Sequence, residues 1–215
     1  MNSHCLSGKG PAAYDEITRI PFIVSGPGIE KGVVSPHTVS HINIAPTVLE
    51  IMGFQIPQTL HGVSIVPQLE DPQKQVNEFV FFGFGRYEVD HDAFGGFQLM
   101  RSAFEGRYKL TVNLLSTDEL YDLENDPYEM ENLIDSPAHM RIRNRLHRAL
   151  LKHQDDSRDP FRGYYWERRP WRTDAAEATW NYTGMTRQRM EDEIYEKHQL
   201  DYGNGLPIAE SVRRK

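Results

Sequence analysis

Apolar residues in the first third of the chain follow a strand pattern and then a helix pattern. The run from Arg19 to Ile29 is short, apolar and closed by Gly-Pro-Gly, which predicts a buried strand ending in a turn. Between Ser40 and Phe54, apolar residues recur at helical spacing, Pro46 falls in the first turn and Gly53 follows the last. This segment is therefore predicted to be a helix. Pro and Gly interrupt the following segment, Ile56 to Leu69, which is predicted to be a loop.

The middle of the chain changes to aromatic and β-branched residues, which favour strands. One strand is predicted within Val76–Val89, two more within Phe97–Leu115 around a Glu-Gly turn, and a fourth short one at Asp118–Tyr121. Apolar residues then recur at helical spacing from Met140 to Gln154, with arginines on the remaining face. The order predicted from the pattern is a strand and a helix, then a meander of strands, then a second helix.

The last sixty residues are polar, aromatic and poorly periodic. Three tryptophans make this region too aromatic for typical disorder, so we expect an ordered tail with one helix near Arg187–His198. Ten basic residues against four acidic ones fall between Arg141 and Arg172. A basic stretch in an acidic protein is either a solvated helix face or a surface that meets an anionic ligand.

Composition excludes several classes of protein. The net charge of −7 over 215 residues argues against a general nucleic-acid binder. No apolar run approaches the roughly 20 residues that cross a bilayer, so no membrane insertion is expected. The single cysteine, Cys5, cannot form an internal disulfide. The first ten residues have neither the basic nor the apolar region of a secretory signal peptide.

The clearest motif lies at the beginning of the chain. His4 to Gly28 has the sequence HCLSGKGPAAYDEITRIPFIVSGPG. It resembles the stretch of sulfatases that follows their last metal-binding motif, in which His-Gly-Leu and Lys precede Tyr-Glu-Glu, Arg-hydrophobic-Pro, a strand and Pro-Gly. Cys5 stands where that family has glycine.

Three further motifs follow in the order of that family. VSHINIAPTVLEIMGF is similar to its Ala-Pro-Thr helix, although Asn43 replaces the usual aspartate, which we expect it to match as a helix cap. LHGVSIVPQL resembles its Gly-x-Ser-Leu loop. RSAFEGRYKLTVNLLSTDELYDLENDPYEMENL is similar to its closing motif, Tyr-Lys followed by Leu-Tyr-Asp-Leu-x-x-Asp-Pro-x-Glu-x-x-Asn-Leu. The acidic residues of this last motif are expected to be structural, since they lack the spacing of a calcium loop.

The resemblance implies the fold of the alkaline-phosphatase superfamily, α/β followed by a small α+β subdomain. Residues 1–72 would be the end of the large α/β catalytic domain. Residues 73–155 would be a carboxyl-terminal subdomain with an antiparallel sheet and one packed helix. Residues 156–215 would be an extended aromatic and basic tail with a short helix.

The resemblance also implies the chemistry. Sulfatases hydrolyse a sulfate ester with a formylglycine made from the first residue of Cys/Ser-x-Pro/Ala-x-Arg, and a calcium ion polarises the sulfate. Cys5 is not in that motif, so the nucleophile and the metal ligands are expected in the remainder of the catalytic domain. Calcium is expected in the complete enzyme and no cofactor in this chain, which is expected to be inactive alone. Family members are often periplasmic, extracellular or lysosomal, which leaves the compartment open.

Two residues of the first motif are candidates for catalysis. Lys9 matches the family lysine that contacts the sulfate oxygens, where an ammonium offsets the charge that builds in the transition state. His4 matches a histidine that contacts substrate or moves a proton. The alternatives are an exposed loop lysine and a frayed terminal histidine.

Four more residues are candidates for binding a sulfated small molecule or glycan. His91 lies on the loop after the aromatic strand, and loops of the smaller domain often line the pocket. Arg169, Trp171 and Arg172 lie in YYWERRPWR, where guanidinium groups recognise sulfate and aromatic faces suit sugar rings. The alternative for the tail is packing between domains by the tryptophans.

The favoured function is the carboxyl-terminal part of a sulfuric-ester hydrolase acting on a sulfated carbohydrate. A phosphonate or phosphate ester hydrolase of the same superfamily is the alternative within catalysis, because the nucleophile motif that separates the two is not in this chain. Outside catalysis, the alternatives are a sulfated-glycan-binding module and a truncated relic.

Overall fold

The computed structural model describes His4 and residues 12–86, 98–157 and 159–173 of the chain. These belong to two compact units, Met1–Leu150 and Leu151–Lys215. The helix predicted near Arg187–His198 lies outside the described residues.

The first unit begins with short helices joined by loops. They are α1 (Asp15–Thr18), a 3-10 turn (His41–Asn43) that leads into α2 (Ile44–Ile51), and α3 (Val66–Glu70). The helix predicted between Ser40 and Phe54 is confirmed by α2. The loop predicted from Ile56 to Leu69 is confirmed as far as Ile65, but its last residues belong to α3. This helix was not predicted, although a proline in its first turn favours it.

The start of α2 depends on Asn43, whose side chain is fully buried. Its Oδ1 accepts a hydrogen bond from the backbone N–H of Ser40 at 2.8 Å, and its Nδ2 donates to the Val63 carbonyl at 2.8 Å. Asn43 is thus the third residue of a capping box begun by Ser40 on the 3-10 turn, and it makes no side-chain cap hydrogen bond to α2, so the expected cap of α2 is wrong in that form. The same amide also holds the loop that follows the helix. Gly53 adopts a φ of 74°, the left-handed conformation that ends a helix.

The strand predicted within Arg19–Ile29 is wrong for the structure described here. No strand is assigned to this run, and the side chain of Ile23 is 89% exposed. A buried parallel strand needs hydrogen-bonded neighbours on both sides, and none of the described strands pairs with it. The predicted turn is present, with Gly28 at a φ of 79°.

The predicted meander is confirmed as a four-stranded antiparallel sheet in the order β1-β2-β3-β4. Its strands are β1 (Val80–Arg86), β2 (Gln98–Phe104), β3 (Tyr108–Asn113) and β4 (Glu119–Asp122). The Glu-Gly turn joins β2 and β3 as expected, with Gly106 at a φ of 102°.

The register of the strands divides the sheet into two different faces. Opposed residues project to the same side of an antiparallel sheet and alternate along each strand. We call one side the helix face; its central residues are apolar and fully buried, namely Ala103, Leu110, Val112 and Leu120. We call the other side the anchor face; it carries a mixed set, namely Val80, Phe82, Ser102, Phe104, Lys109, Thr111, Glu119 and Tyr121.

The helix predicted from Met140 is confirmed as α4 (Met140–Asp156). Just before it, the ring of His139 lies 6.0 Å from the ring of Tyr108, which projects from the helix face. Arg145 forms an ion pair with Glu105 in the β2–β3 turn, and its guanidinium lies 5.7 Å from the ring centroid of Phe79. One part of the prediction is wrong, because Arg143 is buried rather than part of a solvated face. It donates a hydrogen bond to the carbonyl of Ile134.

The second unit contains α5 (Tyr164–Glu167). Trp166 is buried, and its Nε1 donates to the carbonyl of Phe161 at 2.6 Å. In the described part of this unit, Trp166 and Trp171 are thus packed, as expected for an ordered aromatic segment. Among the helices described in either unit, none has the length and apolarity required to span a membrane.

An ion pair between the end of β4 and the β2–β3 turn gives a test of this architecture. Asp122 is buried and accepts from Arg107 Nε at 2.8 Å and Nη2 at 2.6 Å. These hydrogen bonds hold the pKa of Asp122 well below its ordinary value. Its contribution to stability is therefore complete above about pH 4 and is lost as the pH falls below that value.

Asp122→Asn is expected to lower the free energy of unfolding at neutral pH, and the deficit should shrink as the pH falls below about 4. Urea unfolding at pH 7, 5 and 3 measures this. Glu124→Gln is the matched control, since Glu124 contacts the same arginine at 3.0 Å but is 67% exposed, and it should change little. A deficit for Asp122→Asn that is equal at all three pH values would contradict the assignment.

Candidate functional site

His4 is placed against the segment that begins α1. Its imidazole stacks on the Tyr14 ring with a centroid separation of 3.7 Å and an interplanar angle of 1°. Its φ of 52° is left-handed, which is uncommon for a residue other than glycine. The other candidate of this motif, Lys9, lies outside the described residues, so the distance between the two side chains is not defined.

Tyr14 is held in place by two residues of the anchor face of the sheet. Its hydroxyl donates to Glu119 Oε1 at 3.0 Å, and its ring centroid lies 6.1 Å from that of Tyr121. Burial, and after it the Glu119 carboxylate, raises the pKa of the Tyr14 hydroxyl to about 12. Tyr14 is therefore a neutral hydrogen-bond donor at physiological pH.

Next to Tyr14, a buried lysine joins three parts of the first unit. Lys109 Nζ lies 2.9 Å from Asp15 Oδ1 and 2.7 Å from Glu129 Oε1, and its side chain is 2% exposed. The backbone N–H of Asp15 donates to Glu129 Oε2 at 2.6 Å. We call Tyr14, Asp15, Lys109, Glu119 and Glu129 the anchor cluster.

The electrostatics of the anchor cluster depend on its burial. Burial raises the pKa of Glu129 above its ordinary value, and the ammonium of Lys109 opposes that shift. Glu129 also has a φ of 55°, so its backbone conformation costs energy that its two contacts offset. The predicted structural role of the acidic motif is thus confirmed for Glu129.

A cavity of about 870 Å³ lies between residues 35–41 and the anchor face. Its cations are already paired with carboxylates: Arg19 lies 3.8 Å from Asp15, Arg107 binds Asp122, and Lys109 binds Asp15. An anion entering this cavity would have to compete with those carboxylates, so we do not place a sulfate site there.

The predicted binding residues of the tail lie on a turn after α5. The backbone N–H of Arg172 donates to the Arg169 carbonyl at 2.9 Å, which brings these two residues together. Arg169 Nη1 donates to the Tyr165 carbonyl at 3.0 Å. Trp171 is 9% exposed, which leaves little of its side chain for a ligand to meet. His91 lies outside the described residues.

The resemblance implies calcium, which requires several ligands at one place. In the described ranges, no group of three or more His, Cys, Asp or Glu side chains is arranged to hold a metal ion. Calcium takes six to eight oxygen ligands, mostly carboxylates and carbonyls. The described residues do not fit that requirement, and we derive no step through a metal from them.

From the sequence, Tyr14 and the pair Tyr108-Lys109 were identified only as residues of the family motifs. Their contacts in the anchor cluster were not predicted. Lys109 stands in a strand whose residues are buried on both faces, so alternation gives no sign that one of them is a cation. One carboxylate partner, Asp15, lies 94 residues before it, and the other, Glu129, lies in the loop after β4. A lysine between apolar residues in a predicted central strand is the one signal that was available.

Comparisons with known proteins agree on the identity of this fold. The family model described as N-sulphoglucosamine sulphohydrolase, C-terminal, matches residues 11–156. A protein of Escherichia coli (strain K12), Uncharacterized sulfatase YidJ, is 42% identical over 208 residues, covering 96% of this chain and 39% of that protein.

Two further proteins carry more specific names. The Delta 4,5-hexuronate-2-O-sulfatase of Bacteroides thetaiotaomicron is 34% identical over 156 residues, covering 70% of this chain and 31% of that protein. A solved structure of a 2-O GAG sulfatase has a TM-score of 0.61 and 30% identity, covering 71% of this chain and 33% of that one. The chain thus spans less than half the length of each of these three proteins.

The anchor cluster predicts a large effect of one substitution. Lys109→Met should lower the free energy of unfolding by about 3–5 kcal/mol, because it leaves Asp15 and Glu129 without their buried counter-charge. The deficit should become smaller at low pH, where Glu129 takes up a proton in the fold. Denaturant unfolding at pH 7 and pH 5 measures both effects.

Lys152→Met is the control, since Lys152 pairs with Asp156 on the exposed surface of α4, and it should cost about 1 kcal/mol or less. Adding Glu129→Gln to Lys109→Met should recover part of the loss by removing the uncompensated charge. Equal costs for the two lysine substitutions would show that the buried ammonium does not hold the segment.

Proposed function

This chain belongs to the sulfatase family, as a carboxyl-terminal portion of its fold, and we propose that it completes the active site of an enzyme that hydrolyses sulfate esters of carbohydrates. The observation that carries the proposal is the anchoring of the first motif. The segment that matches the sulfate-binding stretch of the family is held to the sheet through Tyr14 and Asp15.

In this proposal, two side chains act on the sulfate group. The ammonium of Lys9 binds the sulfate oxygens and offsets the negative charge that develops on them as the ester bond breaks. The imidazole of His4 contacts the substrate or exchanges a proton with it at neutral pH. The stack on Tyr14 holds that imidazole in a fixed plane.

The remaining chemistry requires residues that this chain does not have. The formylglycine and the ligands of the calcium ion that polarises the sulfate belong to the remainder of the catalytic domain, which is the proposed partner. Exposed apolar side chains mark where that body would pack, among them Ile23, Val34, Ile51, Met52 and Phe54. Large exposed apolar patches are typical of interfaces.

The proposed substrate class rests on what the relatives are named for. The Delta 4,5-hexuronate-2-O-sulfatase and the 2-O GAG sulfatase are both named for sulfated sugars. For a glycan chain, we propose additional contacts from His91, Arg169, Trp171 and Arg172. Of these, the guanidinium groups would bind sulfate or carboxylate oxygens.

A chimeric enzyme tests the proposal. The part of the Delta 4,5-hexuronate-2-O-sulfatase that precedes its match to this chain would be fused to residues 1–215. The fusion should release sulfate from an unsaturated 2-O-sulfated disaccharide, and Lys9→Ala should lower kcat by about 10²–10³-fold, as for loss of one charge-stabilising donor.

Lys31→Ala is the matched control, since Lys31 is an exposed lysine in a turn, and it should leave kcat unchanged. A folded chimera that hydrolyses a phosphonate monoester faster than the sulfate ester would overturn the assignment of substrate. Equal loss of activity in both lysine variants would overturn the role of Lys9.

A further inference from the structure

We propose that Glu119 is a positioning residue for His4: through the Tyr14 hydroxyl, it holds the ring on which the His4 imidazole stacks. The relevance of this inference to catalysis rests on the proposed function, in which His4 acts on the substrate. Its geometry is independent of that function and can be tested in the chain itself.

The position of the Tyr14 ring is set by a contact with the sheet. This residue precedes α1 and lies in extended backbone, where nothing in the local helix determines its side chain. The bond from its hydroxyl to Glu119 Oε1, at 3.0 Å, determines the position of the far end of the ring. Glu119 itself is held in β4, opposite Thr111 in the register of the sheet. The orientation of Tyr14 is therefore set by the rigid sheet.

The Tyr14 ring in turn sets the plane of the His4 imidazole by stacking. The two rings are parallel to within 1° at a separation of 3.7 Å, so the plane of the imidazole follows the plane of the phenol. A face-to-face contact uses the π-surface of the imidazole and does not consume its two nitrogens. These nitrogens are the atoms with which a histidine binds a ligand or moves a proton.

Other polar and charged groups of the site also act on the Glu119 carboxyl. Burial raises the pKa of Glu119 above its ordinary value, with the negative Glu129 acting in the same direction. The Tyr14 hydrogen bond, His4 and Lys109 oppose that shift. Glu119 therefore lies close enough to His4 for an electrostatic interaction, in addition to its link through the Tyr14 hydroxyl.

The experiment measures the position of His4 by NMR in the 215-residue chain, with ¹³C-labelled histidine. The His4 resonances are identified by their disappearance in His4→Gln. In the wild type, the imidazole protons should be shifted upfield by the ring current of Tyr14. Glu119→Leu should abolish that shift, because Leu cannot accept the hydrogen bond, whereas Glu119→Gln, which keeps an acceptor oxygen, should retain it.

Two controls separate positioning from a general loss of structure. Glu124→Leu removes an exposed carboxylate elsewhere and should leave His4 unchanged. The melting temperature of Glu119→Leu should stay near that of the wild type, because leucine does not carry the desolvation cost of a half-buried carboxyl. If Glu119→Leu does not fold, Tyr14→Phe takes its place, since it keeps the ring and removes only the donor.

The proposal is overturned if the His4 shift is absent in the wild type, or if it persists in a folded Glu119→Leu or Tyr14→Phe variant. Loss of the shift in those variants together with its retention in Glu119→Gln supports it. An inactive chimera would refute the proposed function and leave this result in place. The two failures are therefore distinguishable.

Discussion

A single buried ammonium constrains the rest of the first unit. The side chain of Lys109 is 2% exposed, so solvent cannot replace a missing partner, and Asp15 and Glu129 must both be in place before its burial is tolerable. This requirement ties a strand of the sheet, the loop of the closing acidic motif and the segment at the beginning of the chain into one arrangement. The hydrogen bond between Tyr14 and Glu119 then adds orientation to that attachment.

The two faces of the sheet serve different purposes. Apolar side chains such as Leu110 and Leu120 are fully buried on the helix face, and burial of a side chain of that size contributes about 1.5–3 kcal/mol. The anchor face is instead polar where it meets the amino-terminal segment. Ion pairs and hydrogen bonds depend on distance and direction more than apolar contact does, so they suit a surface that must hold a candidate active-site segment in place.

Pattern and motif predicted much of this fold, and the failures have physical causes. The meander and the helices α2 and α4 follow from local periodicity and turn residues such as Gly106, which act within a few positions. The strand before Ile29 failed because a strand also requires partners. For the candidate site, the sequence predicted only two residues, His4 and Lys9, from their positions in the first motif. The contacts that hold it, such as Lys109 with Glu129, depend on register and on loop conformation, which periodicity does not encode.

The separation of the anchor partners along the chain has a consequence for the order of folding. Asp15 is 94 residues from Lys109 and 114 residues from Glu129, whereas the β2–β3 and β3–β4 hairpins close over a few residues each. Loops of that length close late, because their ends lose the most freedom when they meet. During synthesis, the segment with His4 and Tyr14 leaves the ribosome before Glu129 is made, and it is fixed only when Glu129 is in place. A segment that is made before the sheet is thus attached to the sheet after the hairpins have formed.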